Sequence, residues 1–287
     1  MKVFELSAML LAGVLVSAPL WSPAASAAPA AFSVVSVPLD KSDKRFGKFY
    51  VPSLTSILFR PDTTQAAPTI IYLHGCGGIG GPSLPSAESY ATTFLALGYA
   101  TLILDTNDDR RLSDKPCRDR DTNLSLLSAR RADLDAAAAW LVAQKISIAG
   151  KIVPLGTSHG GQVVIEHDQR GGGMAVLAGE ISFYPGCDRG SPYARYPLLI
   201  LVGDKDMSDG PSRSLAQVCA GYAKAAARAG RAPVEEVTYP GAGHAFDVAG
   251  LGNGTSQSLY PTGSGYQAEA AKASLAKVEA FLADVLK

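Results

Sequence analysis

The sequence predicts an α/β fold in which a mostly parallel sheet is covered by helices on both faces. The first observation is a set of short apolar runs rich in β-branched residues, such as 69–73 and 100–104, which are typical of buried strands. The second observation is that such runs alternate with helical segments along most of the chain. This alternation favours parallel pairing, because each helix returns the chain across one face of the sheet.

The individual elements follow from these patterns. The longest helix is predicted over 124–145, because Leu127, Leu134 and Leu141 fall on one face. Other helices are predicted at 87–97, 212–228 and 266–286, with a short one after residue 155. Strands are predicted at 32–39 and 47–59 as an antiparallel opening pair, and at 69–73, 100–104, 151–155, 175–184, 197–202 and 234–239. The connection between the sixth and seventh of these strands is short, so no cap domain is expected.

The charge balance argues against a polyanionic partner. The 287 residues include 26 basic and 26 acidic side chains, so no net field attracts nucleic acid or an anionic membrane. The four histidines do not stand at metal-ligand spacing, and the cysteines form no CxxC pair, so neither a metal nor a cofactor is expected. The length suits one large α/β domain, which is predicted over residues 28–287.

Residues 1–27 are predicted to be a signal peptide. Lys2 supplies a positive start, an apolar stretch covers 7–21, and Ala25 and Ala27 suit cleavage after Ala27. Pro19 interrupts that stretch, which is shorter than the roughly 20 residues of a membrane-spanning helix. The protein is therefore expected to be exported, to the periplasm or outside the cell, without stable membrane insertion after cleavage.

The predicted mature chain contains four cysteines. They are Cys76, Cys117, Cys187 and Cys219. An even number of cysteines in an exported protein predicts two disulfides, and four cysteines allow three pairings. Their spacing alone leaves the pairing open.

Residues 156–161, Gly-Thr-Ser-His-Gly-Gly, follow a predicted strand and precede a predicted helix. This is the G-x-S-x-G pattern of a nucleophile elbow in the context that the pattern requires. Small residues on either side leave room for a strained turn that lifts the serine hydroxyl out of the sheet. The helix N-terminus behind it favours developing negative charge. Ser158 is therefore the predicted nucleophile of an α/β-hydrolase fold.

A serine hydroxyl needs a base to become a good nucleophile, and in this fold the chain order is Ser, then Asp or Glu, then His. His244 lies in a glycine-rich loop after the last predicted strand, where this base is expected, whereas His167 is expected at the surface. Among the aspartates after the strand at 197–202, Asp206 is preferred as the acid and Asp204 is the second choice. The acid is expected to hold the histidine tautomer and to stabilise the imidazolium.

The oxyanion of an acyl-transfer reaction needs two backbone N–H donors. One is expected from His159, which follows the nucleophile. The other is expected from Cys76, in the loop His-Gly-Cys-Gly-Gly that follows the strand at 69–73 and matches the loop of lipases and esterases. The side chain of His74, which opens this loop, is expected to brace it rather than to transfer protons.

A competing interpretation of the same loop is a dinucleotide site. Residues 75–80 match G-x-G-x-x-G, and Asp105 ends the next strand near the place of a ribose-binding acid. A helix must begin inside the glycine run of such a site, and Pro82 and Pro85 make that start unfavourable. This interpretation also leaves Ser158 and His244 unexplained, so the hydrolase interpretation is preferred.

Five segments together resemble the dienelactone hydrolase family of α/β-hydrolases. They are 74–78, the elbow at Ser158, 183–187, 203–206 and 239–246. The resemblance extends from about residue 32 to the C-terminus, and it implies a sheet of about eight strands and a triad of Ser158, Asp206 and His244. It also places Cys187 after one strand and Cys219 on the helix after the neighbouring strand, which favours a disulfide between these two cysteines.

The chain departs from the family's namesake enzymes in one respect, since these carry cysteine where this chain has Ser158. It therefore resembles exported, serine-bearing members, and we expect hydrolysis of small-molecule carboxylic esters or lactones through an acyl-enzyme. Alternatives are a peptidase of the prolyl-oligopeptidase type and a non-catalytic binding protein on the same fold. An arginine cluster is expected either to meet an anionic substrate or to be a solvated surface; its members are Arg110, Arg111, Arg118 and Arg120.

Overall fold

The computed structural model describes residues 32–169, 177–188, 192–208, 212–229, 232–251 and 265–287. Within these ranges the strands are β1 (Phe32–Pro38), β2 (Ser53–Phe59), β3 (Ala67–Leu73), β4 (Ala100–Leu104), β5 (Ser147–Thr157), β6 (Glu180–Phe183), β7 (Leu198–Gly203) and β8 (Val234–Tyr239). They form one eight-stranded sheet in the order β1-β2-β4-β3-β5-β6-β7-β8. The predicted α/β fold with a mostly parallel sheet of about eight strands is confirmed.

The sheet has an antiparallel edge and a parallel body. β2 pairs antiparallel with both β1 and β4, whereas β4, β3, β5, β6, β7 and β8 run parallel to one another. Every residue of β4, β6 and β7 is buried, as expected of strands covered on both faces. The carboxyl ends of the parallel strands meet at one edge, and loops from distant parts of the sequence come together there.

Helices cover both faces of the sheet in the described residues. They are α1 (Ser83–Ala96), α2 (Lys115–Arg118), α3 (Arg120–Ala143), α4 (His159–Gln169), α5 (Leu215–Ala229) and α6 (Ala268–Val285). α3 begins earlier than predicted, because the side chain of Asp119 caps it by accepting the N–H groups of Asp121 at 3.0 Å and Thr122 at 3.4 Å. None of the helices in the described ranges is long and apolar enough to cross a membrane.

Three predicted strands have different bounds in the structure. The prediction of a strand from residue 47 is wrong, because Lys41–Phe49 forms a 3₁₀ segment and β2 begins only at Ser53. Gly47 has a φ of 56°, which is incompatible with an extended strand. β5 is longer than the predicted 151–155 and reaches the nucleophile elbow. The strand predicted at 175–184 is too long, because β6 covers only Glu180–Phe183 and the described residues 177–179 precede it outside any strand. Residues 175 and 176 lie outside the described residues.

Some predictions fall on parts of the chain that the structure does not describe. The predicted signal peptide at 1–27 lies entirely outside the described residues. In the described part of the chain, no cap domain covers the carboxyl edge of the sheet.

Two disulfides resolve the pairing that the sequence leaves open. They join Cys76 to Cys117 and Cys187 to Cys219. The second pair is the one implied by the family resemblance, and it connects the segments after β6 and β7, which are neighbours in the sheet. The first pair ties the loop after β3 to the segment after β4. Two disulfides are typical of a protein from an oxidising, exported setting.

Candidate active site

The candidate nucleophile stands on a tight turn between a strand and a helix. β5 ends at Thr157, α4 begins at His159, and Ser158 between them has a φ of 52°. This left-handed conformation is unfavourable for a residue with a Cβ and is retained only where the surroundings impose it. The N–H of Ser158 donates to the carbonyl of Phe183 at 2.9 Å, and its carbonyl accepts the N–H of Gln162 at 2.9 Å. The turn is therefore fixed on both sides.

The glycines of the elbow are required by close backbone contacts. A Cβ on Gly156 would overlap the carbonyl of Gly160, and a Cβ on Gly160 would overlap the carbonyl of Leu73 in the neighbouring strand. A Cβ on Gly161 would lie 2.7 Å from the hydroxyl oxygen of Ser182. A side chain at any of the three glycines of the G-x-S-x-G-G pattern would therefore collide with neighbouring atoms.

Three predicted side chains lie within hydrogen-bonding distance at this edge of the sheet. Nε2 of His244 is 3.0 Å from Oγ of Ser158, and Nδ1 of His244 is 2.7 Å from Oδ2 of Asp206. The serine follows β5, the aspartate follows β7, and the histidine follows β8, so the parallel sheet brings together residues far apart in the chain. Asp206 and His244 are buried, whereas Ser158 is partly exposed at the cleft.

The electrostatic surroundings keep the Asp206 carboxylate ionised. Burial acts most strongly on its pKa and would raise it, but His244 and the N–H of Ser208, at 3.0 Å, together hold this pKa below its ordinary value. An ionised carboxylate at Nδ1 keeps a proton on that nitrogen and leaves Nε2 as the acceptor that faces Ser158.

Asp204, the second choice for the acid, has a different contact. Its Oδ1 accepts the N–H of Gly241 at 2.7 Å, so it holds the loop that carries His244 without touching the histidine ring. Lys205 supports the same loop, since its N–H donates to the carbonyl of Ala242 at 2.9 Å. Of the two aspartates, Asp206 is therefore the one in contact with the candidate base. Asp209, the third aspartate in this segment, lies outside the described residues.

The loop after β3 lies against the elbow, as expected for an oxyanion loop. A Cβ on Gly75 would be 3.5 Å from the Cβ of Ser158. The carbonyl of Cys76 accepts a hydrogen bond from the side chain of Asn107 at 3.0 Å, and the Cys76 side chain is bound to Cys117. The loop is therefore held at the residue that is predicted to supply one oxyanion donor, through both its carbonyl and its side chain.

His74 is buried beneath this loop. Its Nε2 accepts the backbone N–H of Thr106 at 3.0 Å, so its proton lies on Nδ1, which donates to the carbonyl of Gly75 at 2.6 Å. Burial, followed by the neighbouring Arg130 cation, lowers the pKa of His74 well below its ordinary value. A neutral imidazole bonded only to its own loop and to the next strand end agrees with the predicted bracing role.

Two expectations about charged side chains are wrong. His167 is buried rather than at the surface, with Asp135 at 3.1 Å and Glu180 at 3.6 Å from its ring nitrogens. Arg110 is neither solvated nor open to a substrate, because it makes two hydrogen bonds of 2.8 Å to buried Asp133. In both cases the partners come from other segments of the chain, so local sequence gives no sign of the burial.

The other members of the arginine cluster lie nearer the surface. Arg118 binds Asp114 at 2.7 Å, and both side chains are exposed. Arg111 lies on one side of a cleft of about 370 Å³ beside the oxyanion loop. The cleft is lined by residues 77–80, Asp105, Asn107, Asp108, Arg111 and Ser113.

The glycine run that resembles a dinucleotide motif does not open a helix. α1 begins at Ser83, after the run has ended, and Pro82 stands at its N-cap without a side-chain cap. The helix start inside the run that a dinucleotide site needs is therefore missing.

Three residues near the site received no role from sequence reasoning. The ring of Tyr184 lies 4.6 Å from that of His244, centroid to centroid. Its hydroxyl donates to Asp247 at 2.6 Å, and the hydroxyl of Tyr90 donates to the other Asp247 oxygen at 2.9 Å. Burial raises the pKa of Asp247, although both tyrosines act in the opposite direction. This buried carboxylate anchors the ring that packs against the candidate base.

Arg130 is the largest fully buried side chain and was also missed. It projects from α3 and donates to the carbonyl of His74 at 2.7 Å and to Nδ1 of His159 at 2.6 Å. Burial lowers its pKa to about 9, so it remains a cation at neutral pH. The apolar residues of α3, such as Leu127 and Leu134, predicted a helix that packs on the sheet through one apolar face. The sequence does not distinguish Arg130 from the other charged residues of this helix, and only the structure shows its burial.

An elbow serine, a histidine and a buried aspartate at the carboxyl edge of a mostly parallel sheet define the class of the α/β-hydrolases. A family model described as the dienelactone hydrolase family matches residues 54–286. The chain belongs to the dienelactone hydrolase family, whose members are hydrolases that act on ester bonds. Comparison with curated protein sequences gives no match.

Solved structures share the fold at low sequence identity. A dienelactone hydrolase-like promiscuous phosphotriesterase from metagenomic libraries has a TM-score of 0.67 and 17% identity, covering 89% of this chain and 99% of its own. A dienelactone hydrolase from Anabaena variabilis has a TM-score of 0.61 and 17% identity, covering 91% and 100%. A hyperthermophilic esterase from Pyrobaculum calidifontis has a TM-score of 0.59 and 15% identity, covering 89% and 85%. At sequence identities of 15–17%, this structural similarity establishes the fold alone.

Proposed function

We propose that the protein is an exported serine hydrolase that cleaves carboxylic esters or lactones of small molecules through an acyl-enzyme. The observation that carries the proposal is the chain of two hydrogen bonds, 3.0 Å from Ser158 to His244 and 2.7 Å from His244 to Asp206. This is the geometry in which a base activates a hydroxyl and is itself oriented by an acid.

The proposed reaction begins with attack on the substrate carbonyl. Oγ of Ser158 bonds to the carbonyl carbon as its proton passes to Nε2 of His244, and the carbonyl electron pair moves onto oxygen. The Asp206 carboxylate accepts from Nδ1–H and stabilises the imidazolium. The N–H groups of Cys76 and His159 are assigned to bind the oxyanion. Collapse of this intermediate expels the alcohol oxygen, which takes the proton from His244, and leaves an acyl-serine.

Water completes the proposed cycle. His244 removes a proton from water as the water oxygen attacks the acyl carbon, and a second oxyanion forms in the same place. Its collapse releases the carboxylic acid and returns the proton to Ser158. A lactone follows the same steps, except that the leaving oxygen stays attached to the acyl group until that group is hydrolysed.

Small esters fit the site better than macromolecules. The described part of the chain has no cap domain over the strand ends, and the cleft of about 370 Å³ that residues 77–80 line beside the oxyanion loop is of the size that holds small ligands. The balanced charge of 26 basic and 26 acidic residues offers no field for nucleic acid. The proposal includes cleavage of residues 1–27 on export, which N-terminal sequencing of the mature protein tests.

The decisive experiment is the intact mass after treatment with a fluorophosphonate, beside the variant Ser158→Ala. We expect one adduct on the wild-type protein and none on the variant, because only a serine activated by a base reacts readily with this reagent. No adduct on well-folded wild-type protein would leave the chain as a non-catalytic binding protein.

Turnover separates the proposed esterase from a peptidase. Ser158→Ala and His244→Ala are each expected to abolish hydrolysis of p-nitrophenyl acetate while the circular-dichroism spectrum stays unchanged. A panel of matched esters and peptides then compares kcat/KM for the two bond types. Faster cleavage of peptides than of esters would contradict the proposed substrate class.

A further inference from the structure

A fully buried cluster made of Arg130, His74 and His159 lies directly behind the residues assigned to the oxyanion hole. The two proposed donors come from different segments, since Cys76 follows β3 and His159 begins α4. An oxyanion hole works only if both N–H groups are held in place before the charge develops. The hydrogen bonds within this cluster hold the two segments that supply these N–H groups.

The first contact concerns the peptide unit that carries the N–H of Cys76. The carbonyl of Gly75 belongs to this same planar unit, and it accepts Nδ1–H of His74 at 2.6 Å. The C=O and N–H of a trans peptide lie in one plane and point in opposite directions, so fixing the Gly75 carbonyl also fixes the direction of the Cys76 N–H. The hydrogen bond also polarises the peptide and makes its N–H a stronger donor.

The second contact concerns the preceding peptide unit and the elbow together. Nη2 of Arg130 donates to the carbonyl of His74 at 2.7 Å, and Nη1 donates to Nδ1 of His159 at 2.6 Å. Nε2–H of His159 in turn donates to the carbonyl of Asn123 at 2.9 Å, so both histidines of the cluster are neutral. One rigid, planar guanidinium therefore spans the two segments that supply the proposed donors.

Two nearby carboxylates, Asp133 and Asp105, favour the charged form of the buried Arg130 guanidinium. In the described residues its hydrogen bonds go to a carbonyl and an imidazole, whereas the nearby Asp133 is bound through both oxygens by Arg110. A buried cation costs considerable desolvation energy unless it is compensated. The hydrogen bonds to the carbonyl of His74 and to the ring of His159 place this cation against the two segments where the reaction would develop negative charge.

We propose that Arg130 is a positioning residue that holds the two oxyanion donors, the N–H groups of Cys76 and His159, in their working orientation. This inference rests on the proposed function. Arg130 touches neither substrate nor reacting atoms, and it acts through His74 and His159. Its loss is expected to weaken binding of the oxyanion and to leave binding of the uncharged substrate unchanged.

The test compares Arg130→Met with Arg131→Met. The control removes the next arginine of α3, which donates to the carbonyl of Glu166 at 3.3 Å and to the hydroxyl of Ser128 at 3.3 Å. For each protein we would measure kcat and KM with p-nitrophenyl acetate. We would also measure the inhibition constants of an aryl trifluoromethyl ketone, which forms an anionic adduct with the serine, and of the matching methyl ketone.

Arg130→Met is expected to lower kcat by about 10- to 100-fold with KM within about threefold, which is less than the loss of a whole oxyanion donor. The inhibition constant of the trifluoromethyl ketone should rise by the same factor, while that of the methyl ketone stays within about twofold. Arg131→Met should leave all four quantities within about twofold. Wild-type values of kcat and of the fluoroketone constant in Arg130→Met would overturn the inference.

A second variant keeps the inference testable if Arg130→Met does not fold. His159→Ala removes the imidazole that Arg130 holds and keeps the backbone N–H. Relative to wild type, its fluoroketone inhibition constant should rise severalfold more than its methyl ketone constant. A rise by the same factor for both ketones would contradict the inference. Phosphonate labelling of the wild type separates the two proposals. An unlabelled wild type overturns the proposed function and this inference with it, whereas a labelled wild type with an unaffected Arg130→Met overturns this inference alone.

Discussion

Oδ2 of Asp206 lies 2.7 Å from Nδ1 of His244, although 38 positions separate the two residues in the chain. The contact forms because β7 and β8 are adjacent and parallel, so the loops at their carboxyl ends meet. Asp204 stands only two positions away from Asp206, yet it binds Gly241 instead. The two aspartates therefore support the same histidine loop in different ways.

This difference predicts unequal effects of two similar substitutions. Asp206→Asn should lower kcat for p-nitrophenyl acetate by about 10⁴-fold, because an amide at Nδ1 permits the wrong tautomer of His244. Asp204→Asn should leave kcat within about twofold, since the amide oxygen still accepts the N–H of Gly241. Steady-state kinetics on both variants checks this. Equal losses would show that the 2.7 Å contact has no special role.

The two disulfides are expected to affect stability alike and activity differently. They close loops with sequence separations of 41 and 32 residues, so each contributes about 4 kcal/mol to the free energy of unfolding in the chain-entropy model. The double variant Cys76→Ser/Cys117→Ser should also lose about tenfold in kcat, because small displacements of catalytic groups are costly in rate. Urea unfolding and ester hydrolysis measure the two effects.

The control for this experiment is the double variant Cys187→Ser/Cys219→Ser. It removes the other bridge, which lies after β6 and on α5, away from the oxyanion loop. Its kcat should stay within about twofold at a temperature where the variant is folded. Loss of activity in both double variants to the same extent would show that the Cys76–Cys117 bridge acts only through global stability.

Because His167 is buried beside two carboxylates, we expect the free energy of unfolding to fall in alkaline solution. Burial would lower its pKa, but Asp135 and Glu180 outweigh burial and raise the pKa from 6.5 to about 9. The folded state therefore binds this proton more tightly than the unfolded state, which stabilises the fold by on the order of 3 kcal/mol. This contribution is complete below pH 6.5 and is lost as the pH rises through about 9.

Urea unfolding at about pH 6 and about pH 9.5 measures this pH dependence. The wild type should lose stability between the two pH values, and His167→Gln should show a much smaller loss because it has no proton to release. The same pH dependence in both proteins would contradict the assignment to His167.

Two glycines, one in the elbow and one in α5, are expected to respond in opposite ways to substitution by alanine. Gly160→Ala places a Cβ against the carbonyls of Leu73 and His74, and should destabilise the fold by at least about 2 kcal/mol. Gly221→Ala lies on the exposed side of α5 with open space around the added Cβ, and should stabilise the protein by about 0.5–1 kcal/mol. Thermal unfolding of both variants tests the pair. Tolerance of alanine at position 160 would refute the steric explanation.

Much of the fold and of the candidate site was predictable from local patterns. The apolar β-branched runs identified the central strands, since a strand buried on both faces has little freedom in composition. Ser158 was identifiable because a strained turn in tight contact with a neighbouring strand demands glycines at fixed spacing. His244 and Asp206 followed from the chain order that the parallel sheet imposes on loops at its carboxyl edge.

The strand predicted from residue 47 failed for a local reason, because Gly47 adopts a positive φ that alternation of side chains does not reveal. The predictions for His167 and Arg110 failed for a different reason. A charged side chain in a sequence is most often solvated. Its burial depends on partners such as Asp135 or Asp133, which only the packed structure brings within reach.

The sequence by itself determined the order of the elements, the position of the elbow and the family to which the chain belongs. These properties depend on periodicity and spacing, which are local and can be read along the chain. Only the tertiary structure decided the disulfide pairing, the choice between Asp204 and Asp206 at the histidine, and the place of Arg130 behind the oxyanion loop. Such properties depend on which atoms approach within about 3 Å across the sheet, and hydrogen bonds at that range follow from packing rather than from composition.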